Sequence, residues 1–64
     1  MDELLLIAEV SELTRLSESW IHKAWRQGRF PAPLRLSRRA IRWRASDIQQ
    51  WISSRTPAGV SRDA

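Results

Sequence analysis

The sequence contains no cysteine and no tyrosine, one histidine and two glycines, and it has no long apolar run. Without cysteine the chain forms neither a disulfide bond nor a thiolate metal site, and one histidine offers no cluster for a metal centre. The apolar residues 4–7 are too few to span a bilayer and follow two acids, so we predict neither a membrane segment nor a signal peptide. We therefore expect a cytoplasmic protein that folds by packing alone.

Groups for catalysis are scarce as well. No pair of carboxylates, no set of metal ligands and no nucleophile beside a base occurs at a useful spacing. His22 has no catalytic partner within reach of the pattern, so we interpret it as a polar contact. We predict that the protein is not an enzyme and that it uses no cofactor and no metal ion.

Tryptophan is abundant, with four in 64 residues. A chain of this length buries only a small core and is marginally stable, so we expect these large side chains to supply much of the core volume. The apolar pattern stops before Arg55, and a Thr-Pro-Ala-Gly sequence follows it. We predict one folded domain over residues 1–55 and a disordered tail over residues 56–64.

Basic residues are concentrated in the middle of the chain. Residues 1–14 hold four acids and no base, residues 15–45 hold nine bases against one acid, and residues 46–64 hold two of each. Ten of the eleven bases are arginine, which makes forked contacts with phosphate and guanine. A GC-rich genome would also favour arginine over lysine, but it would not cluster the charges. The clustering predicts a nucleic-acid partner.

Residues 17–29 have the pattern of a short amphipathic helix. On a helix with 100° per residue, an apolar arc of about 140° contains Trp20, Ile21, Ala24 and Trp25. The opposite side carries polar and mostly basic groups, namely Glu18, Ser19, His22, Lys23, Arg26 and Arg29. Ser17 is a suitable N-cap and Gly28 a suitable stop. Such a helix can anchor one side in a core and place the other in the major groove of DNA, although an ordinary surface helix segregates its residues similarly.

Residues 7–13 predict an earlier helix of about two turns, because Ile7, Val10 and Leu13 recur every three residues with acids between them. Residues 14–16 then form a turn in which we expect Leu16 to be buried. Two short helices joined in this way form a helix-turn-helix. A generic helical hairpin is the alternative, but the turn is too short for antiparallel packing, so we expect a steep crossing.

Two prolines end the helical region, and apolar and basic residues then alternate over residues 34–36 and 41–44. This period of two predicts a β-hairpin. We expect its inner face to contain Leu34, Leu36, Ile41 and Trp43. We expect its outer face to contain Arg35, Arg42 and Arg44, with Arg38 and Arg39 at the tip. The tip has no glycine or asparagine, which favours a loose loop over a tight turn.

Residues 45–52 begin a last helix. Ser46 followed by Gln49 matches a capping box, and Asp47 suits the positive end of the helix dipole. Ile48 and Trp51 start an apolar stripe that ends at Ile52. The fold predicted from this order is mainly α with a small β-hairpin: a winged helix-turn-helix, consisting of a helix-turn-helix, a two-stranded wing and a C-terminal helix.

In a helix-turn-helix the start of the second helix contacts base edges. We therefore predict base contacts from Ser19, His22, Lys23 and Arg26. Glu18 could accept from a cytosine amine, but an acid in the first helical turn is better explained by the helix dipole. The wing residues Arg35, Arg42 and Arg44 would contact phosphates, and Arg38 or Arg39 would enter a narrow minor groove. The alternative for the wing is a solvated strand face.

Residues 9–17, 28–36 and 39–52 resemble the AlpA-type prophage regulators and small excisionases, which share a MerR-like winged-helix fold. The resemblance includes Gly-Arg-Phe-Pro-x-Pro at 28–33, Arg-Ala-Ile-Arg-Trp at 39–43 and Ser-Asp-Ile-x-x-Trp-Ile at 46–52. It places Ser17, Ser19, His22, Lys23 and Arg26 on the recognition helix, and Arg38, Arg39 and Arg42 on the wing. Arg15 and the Ser37–Arg38 pair depart from the family, because glycine is common at both turns.

The resemblance implies a bacterial, nucleoid-associated protein that binds double-stranded DNA at phage or integrated-element sites. Family members regulate transcription or bend attachment-site DNA for excision, which makes an integrase or RNA polymerase an expected partner. One copy of so small a module buries little DNA surface, so cooperative self-association on DNA is expected. The alternative function is a protein–protein adaptor that docks an integrase or a terminase subunit. A near-neutral helix and wing would have favoured the adaptor, and the sequence has the reverse.

Overall fold

The computed structural model describes residues 2–58 of the chain, which form three helices and three short strands. Their order is β1 (Leu4–Leu5), α1 (Ile7–Thr14), α2 (Glu18–Arg26), β2 (Leu34–Arg35), β3 (Ile41–Arg44) and α3 (Ala45–Ser53). The strands form one antiparallel sheet in the order β1-β3-β2. The predicted order of helices and hairpin is confirmed, and the arrangement is compatible with a winged helix-turn-helix. Residues 56–58 have no regular structure, and the predicted disorder of residues 59–64 lies outside the described part.

The sheet has three strands where the sequence predicted two. The segment before α1 is extended, and it pairs with β3 so that Leu4 lies opposite Arg44 and Leu5 opposite Trp43. Periodicity within a segment does not report which distant segment it pairs with, so this edge of the sheet was missed. The wing is therefore tied to the start of the chain.

One core joins the inner face of the sheet to the helices. Its buried side chains are Leu5, Val10, Ile21, Ala24, Phe30, Trp43 and Ile48. Trp43 is fully buried, and its indole N–H donates to the carbonyl oxygen of Pro31 over 2.7 Å. The other three tryptophans are partly buried and pack around this core. The prediction that tryptophan supplies core volume is confirmed.

Helix α1 starts where the Glu9 carboxylate accepts from the N–H of Leu6 at 2.7 Å. Its last residue is Thr14, and Arg15 follows as the C-cap. Arg15 has a left-handed backbone with φ of 61° and donates its N–H to the Ser11 carbonyl. Leu13 was predicted to face the core, but it is 60% exposed. A residue six positions from Ile7 points about 120° away from it around a helix, so the packed stripe instead continues from Val10 to Thr14.

Side-chain hydrogen bonds fix the turn between α1 and α2. The Ser11 hydroxyl donates to the Leu16 carbonyl at 2.6 Å, and the Thr14 hydroxyl donates to the Val10 carbonyl at 2.8 Å. The N–H of Leu16 in turn donates to Thr14 Oγ1 at 3.3 Å. These short local bonds hold Leu16 partly buried between the helices.

Helix α2 is capped as predicted, since Ser17 Oγ accepts from the N–H of Trp20 at 3.1 Å. It ends at Arg26, earlier than predicted. Gly28 adopts a left-handed φ of 76°, which turns the chain so that the N–H of Arg29 donates back to the Ala24 carbonyl at 2.8 Å. Arg29 therefore lies beyond the helix and not on its outer face.

The hairpin register contradicts the predicted faces of β2. Leu34 lies opposite Arg42, and Arg35 lies opposite Ile41. Residues directly opposite in an antiparallel pair share a face, so Leu34 is on the outer face and Arg35 on the side of the sheet that carries Ile41. Leu36 follows Leu34 outward and is 53% exposed.

Alternation within each strand was predicted correctly, but the relative register was not. The connection closes with Leu36 donating to the Ala40 carbonyl, and a slip of one residue exchanges the faces. Residues 37–39 form bends, which agrees with the loose loop expected from a tip without glycine.

Helix α3 begins one residue earlier than its predicted cap. Its first turn is capped by Asp2, whose two carboxylate oxygens accept from the N–H of Ser46 at 3.1 Å and from its hydroxyl at 2.6 Å. The hydrogen bonds from Ser46 hold the pKa of Asp2 below its usual value. Ser46 is inside the helix, so the predicted Ser46–Gln49 capping box is wrong. Asp47 lies 3.4 Å from Arg44.

Candidate nucleic-acid interface

The outer face of α2 is formed by the residues opposite its buried anchors. Ile21 and Ala24 are fully buried, which fixes the rotation of the helix about its axis. Ser19, Lys23 and Arg26 are exposed as a consequence, and His22 is partly exposed. The structure thus brings together the four side chains predicted to contact bases: Ser19, His22, Lys23 and Arg26.

Each edge of α2 carries a tryptophan. Trp25 packs edge-on against the buried Trp43, with ring centroids 5.5 Å apart. Trp20 packs on the other edge against Phe30 at 6.0 Å and Trp51 at 6.4 Å. The prediction that Trp20 belongs to the core or its rim is confirmed by its partial burial.

The tryptophans also position two of the predicted arginines. The Arg26 guanidinium lies over the Trp25 ring at 5.6 Å, and the Arg29 guanidinium lies over the Trp20 ring at 5.4 Å. A cation above an aromatic face is attracted to it, so both side chains have a resting place beside α2. Arg29 also donates to Gln27 Oε1 from Nε at 2.9 Å and from Nη2.

His22 is oriented by the same aromatic edge. Its ring lies 5.1 Å from that of Trp25, and its Nδ1 is buried without a partner among residues 2–58. Because Nδ1 is buried, Nε2 is the ring nitrogen that remains available for a polar contact.

The two residues that start α2 have structural roles. Ser17 uses its hydroxyl to cap the helix, so it was predicted correctly as a cap, and its predicted DNA contact is not tested. Glu18 is exposed in the first turn, where a negative charge suits the helix dipole. Its contact with a cytosine stays a hypothesis.

The wing arginines do not share one face. Arg42 and Arg44 are on the outer face of the sheet, with Arg42 partly buried and donating to the Ile41 carbonyl at 2.8 Å. Arg35 is exposed, but its register places it with Ile41, and its Nη1 donates to the Arg38 carbonyl at 3.0 Å. Arg38 and Arg39 are exposed in the loop. The wing thus presents arginine on its outer face and tip.

Sequence reasoning missed a groove on the Trp20 side of α2. The groove is open and is lined by Leu16, Trp20, Phe30, Pro31 and Trp51, with Arg29 and Arg55 beside them. We call this the aromatic groove. The Arg55 guanidinium lies 4.6 Å from the centroid of the Trp51 ring. Arg55 lies just beyond the end of α3, four residues after Trp51, and this spacing was a visible signal for the pair.

Within residues 2–58, no three histidine, cysteine or acidic side chains come together as metal ligands. No helix in the same part of the chain combines the length and the apolar character needed to cross a membrane.

The family resemblance is confirmed by comparison with known protein families. The model of the family described as "Prophage CP4-57 regulatory protein (AlpA)" matches residues 3–56, which include all three helices and all three strands. No curated protein and no solved structure matches the chain. Because the family match spans more than half of the chain, this protein belongs to the AlpA family of prophage regulatory proteins.

Proposed function

From its membership of the AlpA family, we propose that this protein is a sequence-specific DNA-binding regulator of a prophage or an integrated element. The observation that carries the proposal is the outer face of α2, where Ser19, His22, Lys23 and Arg26 lie together opposite a buried anchor. A helix with this division fits a major groove, and its polar side chains reach base edges. The protein acts by occupying DNA in the bacterial nucleoid, without catalysis.

The wing contributes the second part of the interface. Arg38 and Arg39 at the loop, with Arg42 and Arg44 on the outer face of the sheet, contact the DNA backbone or the neighbouring minor groove. Phosphate contacts position a protein without reading sequence. Arg35, which shares its face with Ile41, contributes less than its position in the alternating pattern suggested. The structure is thereby proposed to work as a winged helix-turn-helix.

His22 and Arg26 have different roles in reading bases. Arg26 can make a forked contact with guanine, and its rest position over Trp25 limits the freedom that it loses on binding. His22 presents Nε2, which as an N–H donor suits the acceptors of a purine N7 or a thymine O4 in the major groove.

The proposal is tested by gel shifts on DNA around the gene and any flanking attachment site. We expect Lys23→Ala/Arg26→Ala to abolish the preference for the specific site. We expect Arg38→Ala/Arg39→Ala to weaken binding similarly on all sequences and to reduce the salt slope by about 2. Glu3→Ala, on an exposed residue outside α2 and the hairpin, is the control. If folded wild-type protein prefers no site over competitor DNA at any salt concentration, the adaptor hypothesis replaces this proposal.

Two measurements distinguish transcription regulation from excision: how strongly the protein bends DNA, and whether it binds at a promoter or at an attachment site. Strong bending at an attachment site supports an excisionase that cooperates with an integrase. Binding confined to a promoter supports a regulator that acts on RNA polymerase. Both activities would use the same surfaces of α2 and the wing.

A further inference from the structure

Two exposed apolar surfaces of this protein carry opposite charges. The aromatic groove has two arginines at its rim, Arg29 and Arg55, and both are exposed. Helix α1 has the reverse character, because Leu6 and Leu13 are 47% and 60% exposed and the acids Glu9 and Glu12 lie among them. We call Leu6, Glu9, Glu12 and Leu13 the acidic stripe, in which Leu6 is the N-cap of α1 and the other three residues lie within the helix.

The acidic stripe is exposed, and within residues 2–58 its one side-chain hydrogen bond is the local one from the N–H of Leu6 to the Glu9 carboxylate. Leu6, Glu9 and Leu13 follow one another at spacings of three and four, so they lie along one side of α1 over about two turns. Leu13 is 60% exposed, whereas a leucine on a packed face is mostly buried. Within residues 2–58 the only ion pair is between Arg44 and Asp47, so neither acid of the stripe has a basic partner there.

The groove and the stripe lie on different sides of the molecule. The Ser11 hydroxyl bonds the carbonyl of Leu16, which lines the groove, so the Ser11 side of α1 is nearest to it. Residues two apart on a helix lie about 160° apart around the axis, and adjacent residues lie about 100° apart. Glu9 and Leu13 therefore lie opposite Ser11, Glu12 lies to one side of it, and most of the stripe is directed away from the groove of its own molecule.

We infer that the acidic stripe of one copy docks in the aromatic groove of a second copy. Leu6 and Leu13 cover the exposed parts of the Trp20 and Trp51 rings, which both pack against the buried Phe30. Glu9 and Glu12 meet the guanidiniums that rest on Trp20 and Trp51. Charge complementarity between the two surfaces specifies the second copy, because residues 1–14 contain four acids and no base.

The contact joins two different surfaces, so it is heterologous. Each docked pair leaves one groove and one stripe free, and further copies add to the ends. A single helix in an open groove buries less area than a standard interface of about 1,600 Å², so the association is weak in free solution. Neighbouring sites on DNA would strengthen it by raising the effective concentration.

The experiment uses the full chain without DNA, so its result does not depend on the proposed function. Sedimentation velocity is measured over a concentration series reaching about 1 mM, the affinity of a weak contact. The stripe variant is Glu12→Arg/Leu13→Lys, and the groove variant is Arg29→Glu/Arg55→Glu. All four positions are exposed, and far-UV circular dichroism verifies the fold of each variant. Glu3→Arg/Leu36→Lys and Arg38→Glu/Arg39→Glu are matched controls for charge and apolar loss.

We expect the wild type and both controls to self-associate beyond a dimer. Each variant alone should sediment as a monomer, with association at least about 10-fold weaker. At concentrations where neither variant associates alone, an equimolar mixture should form a heterodimer, because the intact stripe of one fits the intact groove of the other. A monomeric wild type, an associating variant or a mixture without heterodimer overturns the inference.

Discussion

Each edge of α2 carries a tryptophan that packs in an aromatic cluster, and the two clusters have different roles. On one edge Trp25 packs against Trp43, which is fully buried and bonds the Pro31 carbonyl. On the other edge Trp20 meets Phe30 and Trp51 at an open groove. We call Trp25 and Trp43 the sealed cluster, and Trp20, Phe30 and Trp51 the open cluster. The sealed cluster packs the sheet against α2, whereas the open cluster leaves aromatic surface for a contact. A small domain rich in tryptophan can thus use some of its aromatic rings for stability and others for recognition.

The largest expected difference is in the cost of removing one ring from each cluster. Trp43→Ala creates a cavity in the core and should cost about 3–5 kcal/mol, which would leave this small domain largely unfolded. Trp51→Ala removes a ring that solvent already reaches in part and should cost about 1–2 kcal/mol. Urea unfolding followed by circular dichroism measures both. Equal costs would show that the open cluster is as important to the core as the sealed one.

A smaller effect should come from the indole hydrogen bonds. Trp43→Phe keeps an aromatic ring but leaves the Pro31 carbonyl without its donor, and it should cost about 1–3 kcal/mol. Trp51→Phe removes a longer bond of 3.3 Å to the carbonyl of Arg29, which water can replace, and should cost less than about 1 kcal/mol. The midpoints of urea unfolding distinguish the two, and a reversed order would contradict the comparison.

The sealed cluster also depends on the strand edge that Asp2 holds in place. Leu5 pairs with Trp43, and Asp2 caps the helix that follows β3. The folded-state pKa of Asp2 is below its unfolded value of 3.8, so its contribution to stability is present above that pH. The contribution is lost as the pH falls below 3.8 through the lowered pKa.

Asp2→Asn tests this junction by unfolding experiments between pH 2 and pH 6, a range of about four pH units. We expect the variant to be less stable than the wild type at pH 6, with the difference shrinking as the pH falls below 3.8. Glu3→Gln is the control, because only the backbone carbonyl of Glu3 bonds α3, through Ala45. A difference that does not change with pH would contradict the role given to the carboxylate.

The smallest effect is expected at Arg15, which precedes Leu16 in the wall of the aromatic groove. Arg15 holds a left-handed φ of 61° just before Leu16, a conformation that glycine adopts without strain. Arg15→Gly should therefore change the free energy of unfolding by no more than about 1 kcal/mol, in the stabilising direction. Thermal unfolding measures the change, with Arg15→Ala as a control that keeps the strain. A clear loss of stability in the glycine variant alone would show that the Arg15 side chain has a structural role.

The features that were predicted correctly are local ones. Ser17 caps α2 because its acceptor lies three residues from the donor, and Gly28 ends the helix because few other residues adopt its φ. The division of α2 into buried and exposed faces also follows from helical spacing. The candidate base-contact residues of that helix were therefore found from the sequence, while the shift of Arg29 off the helix depended on where the turn closed.

The features that were missed depend on contacts between segments that are distant in the chain, or on the register with which two strands pair. Asp2 caps a helix 44 residues away, which no local pattern contains. The faces of Leu34 and Arg35 depend on a register that the loop over residues 36–40 sets. The aromatic groove forms only where α2, the segment after Gly28 and α3 meet.

The amino-acid order thus specifies the helices, the hairpin, the basic outer side of α2 and membership of the AlpA family, because hydrogen bonds and helical periodicity act over a few residues. The packing of the whole chain specifies the third strand, the exposed faces of the wing and the division between sealed and open tryptophans. Those features depend on which distant surfaces exclude water from one another, and that is settled only when all the segments pack together.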